Sequence, residues 1–479
     1  MKEGYIPKEQ RKNILLLTDD IRLQSGVANV GKEIIIHTAH KYNWYNVGGA
    51  INHPELGKIF DISEDINKII GIDDASVKVQ PYNGYGDPDL VRKLIKEEKV
   101  DAIFLITDPR YFTWLFQMEN EVRKQTPIMY LNIWDDYPAP MYNKAYYESC
   151  DLLMGISKQT VNINKLVLGE KANNKIIDYV PHGMNPKIFY PINEGHEKYP
   201  NVENLRKSIA KEGEAKFVLF FNSRNIRRKS IPDTLLAWKY FVDQLTEEEA
   251  KSCYFILHTD AVSDAGTDLP KVKDYIFGKN YNNVLLSTSK VPAEHLNYYY
   301  NLADAQILLS SAEGWGLALT EALLTGTPII ANVTGGMQDQ MRFEDENGDW
   351  VEFDSNIPSN HTGAYKKHGK WAFPVFPNNR SLVGSPSTPY IWDDRCCPED
   401  ASKKIMEVYK MSSEQRKEIG KAGYEWAISE EAGFTAQQMA NKVDTNIEKL
   451  FSTWTPRKNY ELINANQVKE DVLPHKLLY

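Results

Sequence analysis

Residues 310–323 read Ser-Ser-Ala-Glu-Gly-Trp-Gly-Leu-Ala-Leu-Thr-Glu-Ala-Leu, a glycine-rich turn between an apolar run and a helical pattern. The apolar run at 306–309 predicts a buried strand before the turn. Gly314 and Gly316 allow the backbone to approach a ligand closely. Free amides at the start of the following helix favour a phosphate or another electron-rich oxygen. The stretch therefore predicts a ligand site at the end of the strand.

Two glutamates lie in the same stretch. Glu313 belongs to the turn and Glu321 to the predicted helix, eight residues later. One carboxylate can accept hydrogen bonds from sugar hydroxyls and the other from a ribose. A glycine turn with a solvated glutamate is the alternative interpretation, and the turn alone does not decide between the two.

Short apolar runs alternate with amphipathic stretches on both sides of this site. Runs bounded by polar turns are typical of strands that are covered on both faces. The predicted strands lie at 13–18, 44–47, 77–79, 102–106, 128–133, 152–156 and 176–180, and again at 217–222, 254–258, 284–286, 306–309 and 328–331. Helices such as 89–98, 111–123 and 231–245 lie between them. The pattern predicts an α/β fold of two Rossmann-like domains that face a cleft.

This alternation divides the chain into four segments. Residues 1–190 are predicted to form the N-terminal Rossmann-like domain, and the polar stretch 191–214 a linker with its flanks. Residues 215–435 are predicted to form the C-terminal Rossmann-like domain. Within it, residues 355–392 lack the helix–strand rhythm and are too long for an ordinary loop, which marks an insertion. Residues 436–479 are predicted to form a closing helix and a tail.

The composition is that of an ordinary soluble protein. The chain has 479 residues, with 56 Lys and Arg against 65 Asp and Glu, for a formal charge of −9. That balance argues against a generally basic nucleic-acid coat protein, but it is compatible with a local basic groove. The four cysteines lack the paired spacing of a zinc site. No apolar run is long enough for a signal peptide or a membrane span of roughly 20 residues, so we expect a cytoplasmic protein without a metal.

A basic loop follows the strand predicted at 217–222. Arg224 and Lys229 lie in the text Asn-Ser-Arg-Asn-Ile-Arg-Arg-Lys-Ser. Because the loop leaves a strand end, both cations are expected to point into the cleft, where they would neutralise the diphosphate of a leaving nucleotide. A solvated basic loop is the alternative, and it is the weaker interpretation once the loop is combined with the turn at 313–321.

These motifs together resemble a known family. The text from Glu313 to Pro328, followed by Thr-Gly-Gly at 334–336, is similar to the signature of the retaining glycosyltransferases of family 4, the group 1 glycosyltransferases with the two-domain GT-B fold. Arg224 and Lys229 match the family's Arg and Lys five residues apart. The segment 180–191 resembles its interdomain segment, and Ser-Gly-Val at 25–27 its N-terminal glycine loop. The resemblance spans roughly residues 13–340.

The resemblance implies an N-terminal acceptor domain, a C-terminal donor domain, and C-terminal helices that close back toward the N-terminal domain. It implies that Arg224 and Lys229 bind the donor diphosphate and that Glu321 holds the ribose. Glu313 would hold the donor sugar, helped by the amides of Gly314, Trp315, Gly316 and Leu317. Gly26 would approach the phosphates from the other domain. The donor would be a nucleotide-sugar co-substrate, with UDP favoured because it is common in the family, and no metal or other cofactor would be needed.

The chain departs from the family at one place. Members often have a His-Asp pair after the fourth strand of the N-terminal domain, and this chain reads Asn-Ile-Trp-Asp-Asp-Tyr at 132–137. Trp134 therefore stands where the histidine is expected, which indicates a different donor sugar, and Trp134 is placed with the acceptor-binding residues. We expect Asp135 to be a catalytic residue and Asp136 to lie on the acceptor side. Each would accept a hydrogen bond from a hydroxyl group. Capping or turn aspartates are the alternative.

The insertion at 355–392 bears on the acceptor. It has no acidic residue and interleaves aromatic residues with the cations Lys366, Lys367, Lys370 and Arg380. Cations and aromatic rings together suit a nucleic-acid backbone and stacked bases. The sequences at 379–395 and at 134–143 resemble those of glycosyltransferases of large tailed phages. Some of these phage enzymes modify hydroxymethylated cytosine. The leading predicted acceptor is thus 5-hydroxymethylcytosine in double-stranded phage DNA, in the host cytoplasm.

Three alternatives stay open from the sequence. The insertion could be an aromatic-packed lid over the donor and have no role in DNA binding. The acceptor could be a surface polysaccharide or a lipid-linked saccharide met at a membrane surface. The chain could also be a catalytically inactive nucleotide-sugar binder, although the intact set of Arg224, Lys229, Glu313 and Glu321 favours chemistry.

Overall fold

The computed structural model describes residues 3–49, 54–210, 214–357 and 359–458. Two parallel sheets, each covered by helices, account for most of these residues. This is the two-domain α/β architecture expected from the alternation of apolar runs and amphipathic stretches. The predicted tail beyond residue 458 lies outside the described residues.

The N-terminal sheet is built from the apolar runs of the first 180 residues, and most of its strand residues are buried. Its strands are β1 (Lys12–Asp19), β2 (Tyr42–Gly49), β3 (Phe60–Asp61), β4 (Val77–Pro81), β5 (Ala102–Ile106), β6 (Ile128–Asn132), β7 (Leu152–Gly155) and β8 (Ile176–Tyr179). Their spatial order is β3-β4-β2-β1-β5-β6-β7-β8, and all pairs are parallel except β3 with β4.

Helices cover both faces of this sheet. They are α1 (Gly26–Thr38), α2 (Ser63–Ile70), α3 (Pro88–Glu97), α4 (Thr113–Gln117), α5 (Glu119–Val122), α6 (Lys144–Glu148) and α7 (Lys158–Leu168). The side chains of Ser25, Asp87 and Ser157 accept hydrogen bonds from the first free amides of α1, α3 and α7. The single helix predicted at 111–123 was wrong, since the chain there is divided between a 3-10 turn, α4 and α5.

The C-terminal sheet is entirely parallel. Its strands are β9 (Phe217–Asn222), β10 (Cys253–His258), β11 (Val284–Ser287), β12 (Ala305–Leu308), β13 (Ile329–Asn332) and β14 (Ala372–Val375), in the spatial order β11-β10-β9-β12-β13-β14. Its helices are α8 (Tyr199–Ile209), α9 (Ile231–Val242), α10 (Glu247–Lys251), α11 (Leu269–Phe277), α12 (Ala293–Leu302), α13 (Leu317–Leu324), α14 (Met337–Met341), α15 (Pro398–Tyr409) and α16 (Ser413–Ala427).

Two predicted segments have more structure than their composition indicated. The supposed linker 191–214 contains α8, which packs on α12 through buried Val202 and whose Arg206 pairs with Asp304 at 2.8 Å. The insertion 355–392 supplies β14 to the C-terminal sheet and most of an antiparallel hairpin, β15 (Asn379–Ser385) and β16 (Thr388–Arg395). Polar residues outnumber apolar ones in both, so the few buried positions were hidden from the sequence pattern.

The chain crosses between the domains at two adjacent places. After β8 it passes through Gly183 and Met184, and before α17 (Ala436–Thr453) it returns through Phe434. The amide of Met184 donates to the Phe434 carbonyl at 3.0 Å, so the two crossing segments are hydrogen-bonded to each other. Helix α17 then packs on α1, which is the closure toward the N-terminal domain that the resemblance implied. Within the described residues, no helix combines the length and apolarity required to traverse a bilayer.

Candidate active site

Three loops meet at the carboxyl edge of the C-terminal sheet, where ligands of such sheets usually bind. They follow β9, β12 and β13, and they bring Glu313 together with two cations. Oε2 of Glu313 accepts a hydrogen bond from Nη1 of Arg228 at 2.9 Å and pairs with Nζ of Lys229. Glu313 and Lys229 are both 7% exposed. Lys229 and Glu313 are thus brought into direct contact, as residues of one site.

The charge state of this cluster follows from its composition. Burial opposes ionisation of Glu313, but Arg228 and Lys229 outweigh it and lower the pKa of this carboxyl to about 2. Burial also lowers the pKa of Lys229, against the attraction of Glu313. Glu313 is therefore a carboxylate at any physiological pH, and it can accept hydrogen bonds from hydroxyl groups.

The arginine of the basic loop that contacts Glu313 is not the arginine that the sequence singled out. Arg224 is exposed, and Arg228, which sequence reasoning passed over, is the arginine that contacts Glu313. The signal was present as the run Arg-Arg-Lys at 227–229, which forms a 3-10 turn after β9. The family pattern has an Arg and a Lys five residues apart, and with Lys229 this spacing selects Arg224.

The glycine turn, which follows β12, contacts the loop that follows β13. The amide of Gly336 donates to the Glu313 carbonyl at 2.9 Å, so the Thr-Gly-Gly text supports the turn from below. Gly316 has a φ of +90° and directs the chain into α13. Trp315 is almost fully buried, and its Nε1 donates to Thr320. Its side chain therefore faces the core, and only its backbone lies in the turn.

Two helix starts face each other across the cleft. A Cβ atom on Gly26, at the start of α1, would lie 2.8 Å from Cδ1 of Leu317, at the start of α13. Ser25, which caps α1, also donates its hydroxyl to Asp19. Both helix starts direct amide groups and a partial positive charge toward this narrow gap. The predicted roles of Gly26 and Leu317 require this proximity.

Glu321 lies one turn further along α13 with two polar partners. Its Oε2 accepts hydrogen bonds from the hydroxyl of Tyr300 and from Nδ2 of Asn222, the latter at 3.2 Å. Burial raises the pKa of Glu321 to about 7, and these two donors oppose that rise. A carboxyl group in this state changes its accepting capacity within the physiological pH range.

Asp135 reaches the same cluster from the N-terminal domain. Its Oδ1 accepts a hydrogen bond from the Gly314 amide at 3.0 Å, and its Oδ2 lies 3.6 Å from Nε of Arg228. Burial raises the pKa of this carboxyl, while the Arg228 charge opposes the rise. About a third of the side chain is exposed, so it lies at the mouth of the cluster. The assignment of Asp135 as a catalytic residue that accepts a hydrogen bond from a hydroxyl stays a prediction.

Trp134 and Asp136 have surroundings that differ from the predicted acceptor contacts. Trp134 is 6% exposed, packs edge-on against Tyr142, and donates its Nε1 to the carbonyl of Asp136. Asp136 is fully buried and accepts hydrogen bonds from the Tyr137 amide and from Nε2 of Gln159. Both side chains are buried in the loop that follows β6, and their contact with an acceptor stays a prediction.

A hydroxyl group lies between two buried carboxyl groups at the domain interface. Oγ1 of Thr334 is 3.1 Å from Oδ2 of Asp136 and 2.9 Å from Oδ2 of Asp394. One hydroxyl has one proton to donate, so one carboxyl must itself donate to Thr334. Burial, together with the charge of Asp394, raises the pKa of Asp136 well above its usual range. Asp394 also accepts hydrogen bonds from Arg380, Ser359 and Asn360, and of the two carboxyl groups Asp136 is the one that holds the proton.

The hairpin β15–β16 joins the two domains beside this cluster. The Trp392 amide donates to the Tyr137 carbonyl at 2.7 Å, the Tyr142 hydroxyl donates to the Tyr390 carbonyl, and Arg110 donates to Ser387 and Thr388 near the hairpin turn. Most aromatic residues of the insertion are thus used in packing. The structure favours the interdomain lid over an open nucleic-acid surface for this part.

The four predicted acceptor cations do not share one surface. Arg380 is paired with buried Asp394 at 3.0 Å and lies over the Trp392 ring, so it is part of the interface. Lys370 directly precedes buried β14, at the sheet edge opposite to the cleft, with its Nζ 3.5 Å from Glu418. Lys366 and Lys367 are exposed just before it. Arg380 and Lys370 therefore have separate surroundings, and the assignment of the four cations to the acceptor stays a prediction.

The similarity of this chain to known proteins extends over both halves. The family model of group 1 glycosyl transferases matches residues 201–357. An uncharacterised glycosyltransferase of Methanocaldococcus jannaschii is 23% identical over 268 residues, which is 56% of this chain and 62% of that relative. The chain therefore spans less than two thirds of the length of this curated relative.

Solved structures extend the likeness to the whole fold. The sucrose-phosphate synthase of Thermosynechococcus elongatus superposes with a TM-score of 0.63 at 15% identity, over 93% of this chain and 100% of that one. HepE of Anabaena, in complex with UDP and glucose, superposes with a TM-score of 0.61 at 14% identity, over 92% and 100%. Residues 201–357 thus match the group 1 glycosyltransferase sequence, and the chain as a whole has the two-domain GT-B fold.

Proposed function

We propose that this chain transfers a sugar from a nucleotide-sugar to an acceptor hydroxyl, with retention of anomeric configuration and without a metal. The observation that carries the proposal is the buried Glu313 carboxylate held by Arg228 and Lys229 beside the start of α13. A carboxylate for sugar hydroxyls, cations for a diphosphate and free helix amides are the groups that such a donor requires.

The reaction breaks the bond between the anomeric carbon and the phosphate oxygen of the donor. Negative charge then grows on the departing phosphate, and Lys229, Arg224 and the first amides of α13 would stabilise it. Glu313 would hold the sugar hydroxyls and Glu321 the ribose. In the retaining course, the acceptor hydroxyl bonds to the same face of the sugar, and its proton passes to the departing phosphate. Closure of the cleft would exclude water, which competes with the acceptor.

UDP is the proposed nucleotide. HepE of Anabaena was solved with UDP and glucose, and its fold covers nearly the whole of this chain. Glu321 faces Asn222 and Tyr300 at the end of β9 and within α12, near the position that the resemblance assigns to the ribose. A hexose or a pentose is the proposed sugar class.

The proposed acceptor is 5-hydroxymethylcytosine in phage DNA, and a saccharide is the alternative. Lys366 and Lys367 are exposed and favour an anionic acceptor. The internal packing of Tyr390 and Trp392 favours a smaller acceptor, because these rings are not free to stack on bases. A saccharide acceptor would also agree with the sucrose-phosphate synthase likeness.

One experiment separates these candidates. Wild-type protein is incubated with a panel of nucleotide-sugars and with DNA that contains either 5-hydroxymethylcytosine or plain cytosine, and the digested nucleosides are weighed by mass spectrometry. A hexose or pentose gain on the modified base alone supports DNA modification. Donor hydrolysis without a nucleoside gain supports the enzyme and directs the search to saccharides. Binding without any turnover of the panel supports the inactive binder.

A binding measurement tests the lysines separately. If DNA is the acceptor, changing Lys366, Lys367 and Lys370 together to Glu should weaken DNA binding and flatten its salt dependence. The matched control changes three exposed lysines elsewhere in the same domain, Lys271, Lys279 and Lys403, to Glu. Equal loss in both triple variants would mean that only the net charge matters, which would contradict a DNA surface at the insertion.

A further inference from the structure

Arg228 contacts both domains at the candidate active site. Its Nη1 is 2.9 Å from Oε2 of Glu313 and 2.8 Å from the carbonyl of Ala312, on the donor side. Its Nε is 3.6 Å from Oδ2 of Asp135, on the acceptor side. About 30% of the side chain is exposed. One guanidinium group therefore joins the carboxylate that would hold the sugar to a carboxyl group of the opposite domain.

These contacts form a closed ring. Asp135 also accepts a hydrogen bond from the amide of Gly314, the residue that directly follows Glu313. The ring thus runs from Asp135 to Arg228, from Arg228 to Glu313, and from Glu313 along the backbone to Gly314 and back to Asp135. Two cations, Arg228 and Lys229, face two acidic groups, Glu313 and Asp135, in a partly closed environment. Charges in such a cluster hold one another in place more strongly than exposed pairs do.

We propose that Arg228 is a positioning residue that makes the orientation of Glu313 depend on domain closure, through Asp135. When the domains separate, Arg228 and the Gly314 amide both lose Asp135, and the turn that holds Glu313 loses its support from the other side of the cleft. The proposal rests on the proposed function and deepens it. It assigns Asp135 an action through Arg228 rather than on the reacting atoms.

The coupling has a chemical consequence for the donor. In an open cleft, water can replace the acceptor: the bond from the anomeric carbon to the phosphate oxygen breaks, the water oxygen bonds to that carbon, and one water proton passes to the phosphate. The products are a free sugar and the nucleoside diphosphate. If Glu313 holds the sugar correctly only in the closed state, this hydrolysis is suppressed until the acceptor is enclosed.

The test is a double-mutant cycle with Arg228→Met, Asp135→Asn and the double variant, together with Arg228→Lys. Each single change should lower kcat for transfer about 10- to 100-fold, with the donor KM within about threefold of wild type. The double variant should be no slower than the slower single variant, because both changes break the same ring. Arg228→Lys should recover part of the rate. Hydrolysis of the donor without acceptor should fall together with transfer in both single variants, because neither variant holds Glu313 in the orientation that both reactions need.

The matched control is Arg227→Met. Arg227 is the adjacent arginine, is mostly exposed, and lies 3.5 Å from Asp393 rather than at the ring, so its loss should leave kcat near the wild-type value. Multiplicative losses in the double variant, or a change confined to the donor KM, would overturn the coupling. A loss of rate in Arg227→Met as large as that in Arg228→Met would overturn it as well.

Small-angle X-ray scattering gives a readout that needs no turnover. Wild type and Arg227→Met should share one radius of gyration with UDP present, and Arg228→Met and Asp135→Asn should both be more open. If wild type turns over no nucleotide-sugar, the proposed function fails, and the scattering alone decides the coupling. Equal scattering curves for wild type and Arg228→Met would then reject it.

Discussion

The carbonyl oxygen of Glu313 occupies the space that a Cβ atom on residue 335 would need. Gly335 also has a φ of +54°, a conformation that other residues adopt only with strain. We therefore expect Gly335→Ala to displace the turn that holds Glu313 and to lower transfer by about 100-fold or more, the scale for losing a transition-state contact. Initial rates with a nucleotide-sugar donor measure this.

The control for this change is Gly71→Ala. Gly71 ends α2 with a φ of +73° and has open space around its Cα, so it has the backbone strain without the overlap. That strain costs about 1 kcal/mol, and activity should stay close to wild type. Similar loss of activity in the two variants would show that unfolding, rather than a displaced Glu313, causes it.

Removing either Glu313 or Lys229, which form an ion pair in the candidate active site, should abolish most of the activity. Glu313→Ala and Lys229→Ala should each lower transfer by at least about 100-fold, because each removes a preorganised charge at the reacting sugar diphosphate. Lys229→Ala should also raise the donor KM. Of the two cations beside Glu313 this variant keeps Arg228 alone, so the donor diphosphate loses the lysine that is proposed to bind it. Steady-state kinetics with circular dichroism as a check on folding measure both. Near-wild-type rates in both variants would contradict the site assignment.

Donor binding should depend on pH through Glu321. Burial raises the pKa of this carboxyl to about 7 from an ordinary 4.5, so it is protonated below pH 7 and ionised above it. Because the ionised form accepts both ribose hydroxyls, the donor KM should fall as the pH rises from 6 to 8 and then level off. In Glu321→Gln the donor KM should be higher and flat over the same range. An unchanged pH profile in this variant would rule out Glu321 as its source.

The two buried aspartates beside Thr334 should differ in how much stability the same substitution costs. An asparagine at 136 can donate to Thr334 as the protonated acid does, so Asp136→Asn should change the free energy of unfolding by less than about 1 kcal/mol. Asp394→Asn leaves Arg380 without its carboxylate partner, and it should cost about 3 kcal/mol. Urea unfolding compares them. The reverse order would place the proton on Asp394.

The active-site elements that the sequence predicted are those that depend on local order along the chain. The loops that follow two buried strands contain Glu313, Gly314 and Lys229. Parallel strands bring such loops to one edge of the sheet. The strands themselves were located because runs such as 217–222 are apolar and bounded by polar turns. The glycine pair at 335–336 was recognised as a motif, but its contact with Glu313 needed the structure.

The residues that the sequence misplaced depend on contacts between distant segments. Arg228 was not distinguished from Arg224, because which of several loop cations faces a carboxylate is decided by the direction of a single 3-10 turn. Trp134 was placed by position in a motif, and its burial against Tyr142 is a packing outcome. Arg380 pairs with Asp394 only because the hairpin at 379–395 folds over the interface.

The two crossing segments at Met184 and Phe434 are hydrogen-bonded side by side, with Gly183 in close contact with Thr435. Neighbouring crossings that are hydrogen-bonded to each other would act as a single hinge axis, so we expect the domains to move by rotation about it. Points far from that axis sweep the largest arcs for a given angle, while the crossings themselves hardly move. Opening would therefore separate the hairpin contacts at Tyr137 and Arg110 before it stretched the chain at the axis. The width of the opening through which an acceptor would enter would therefore depend on the angle between the two domains.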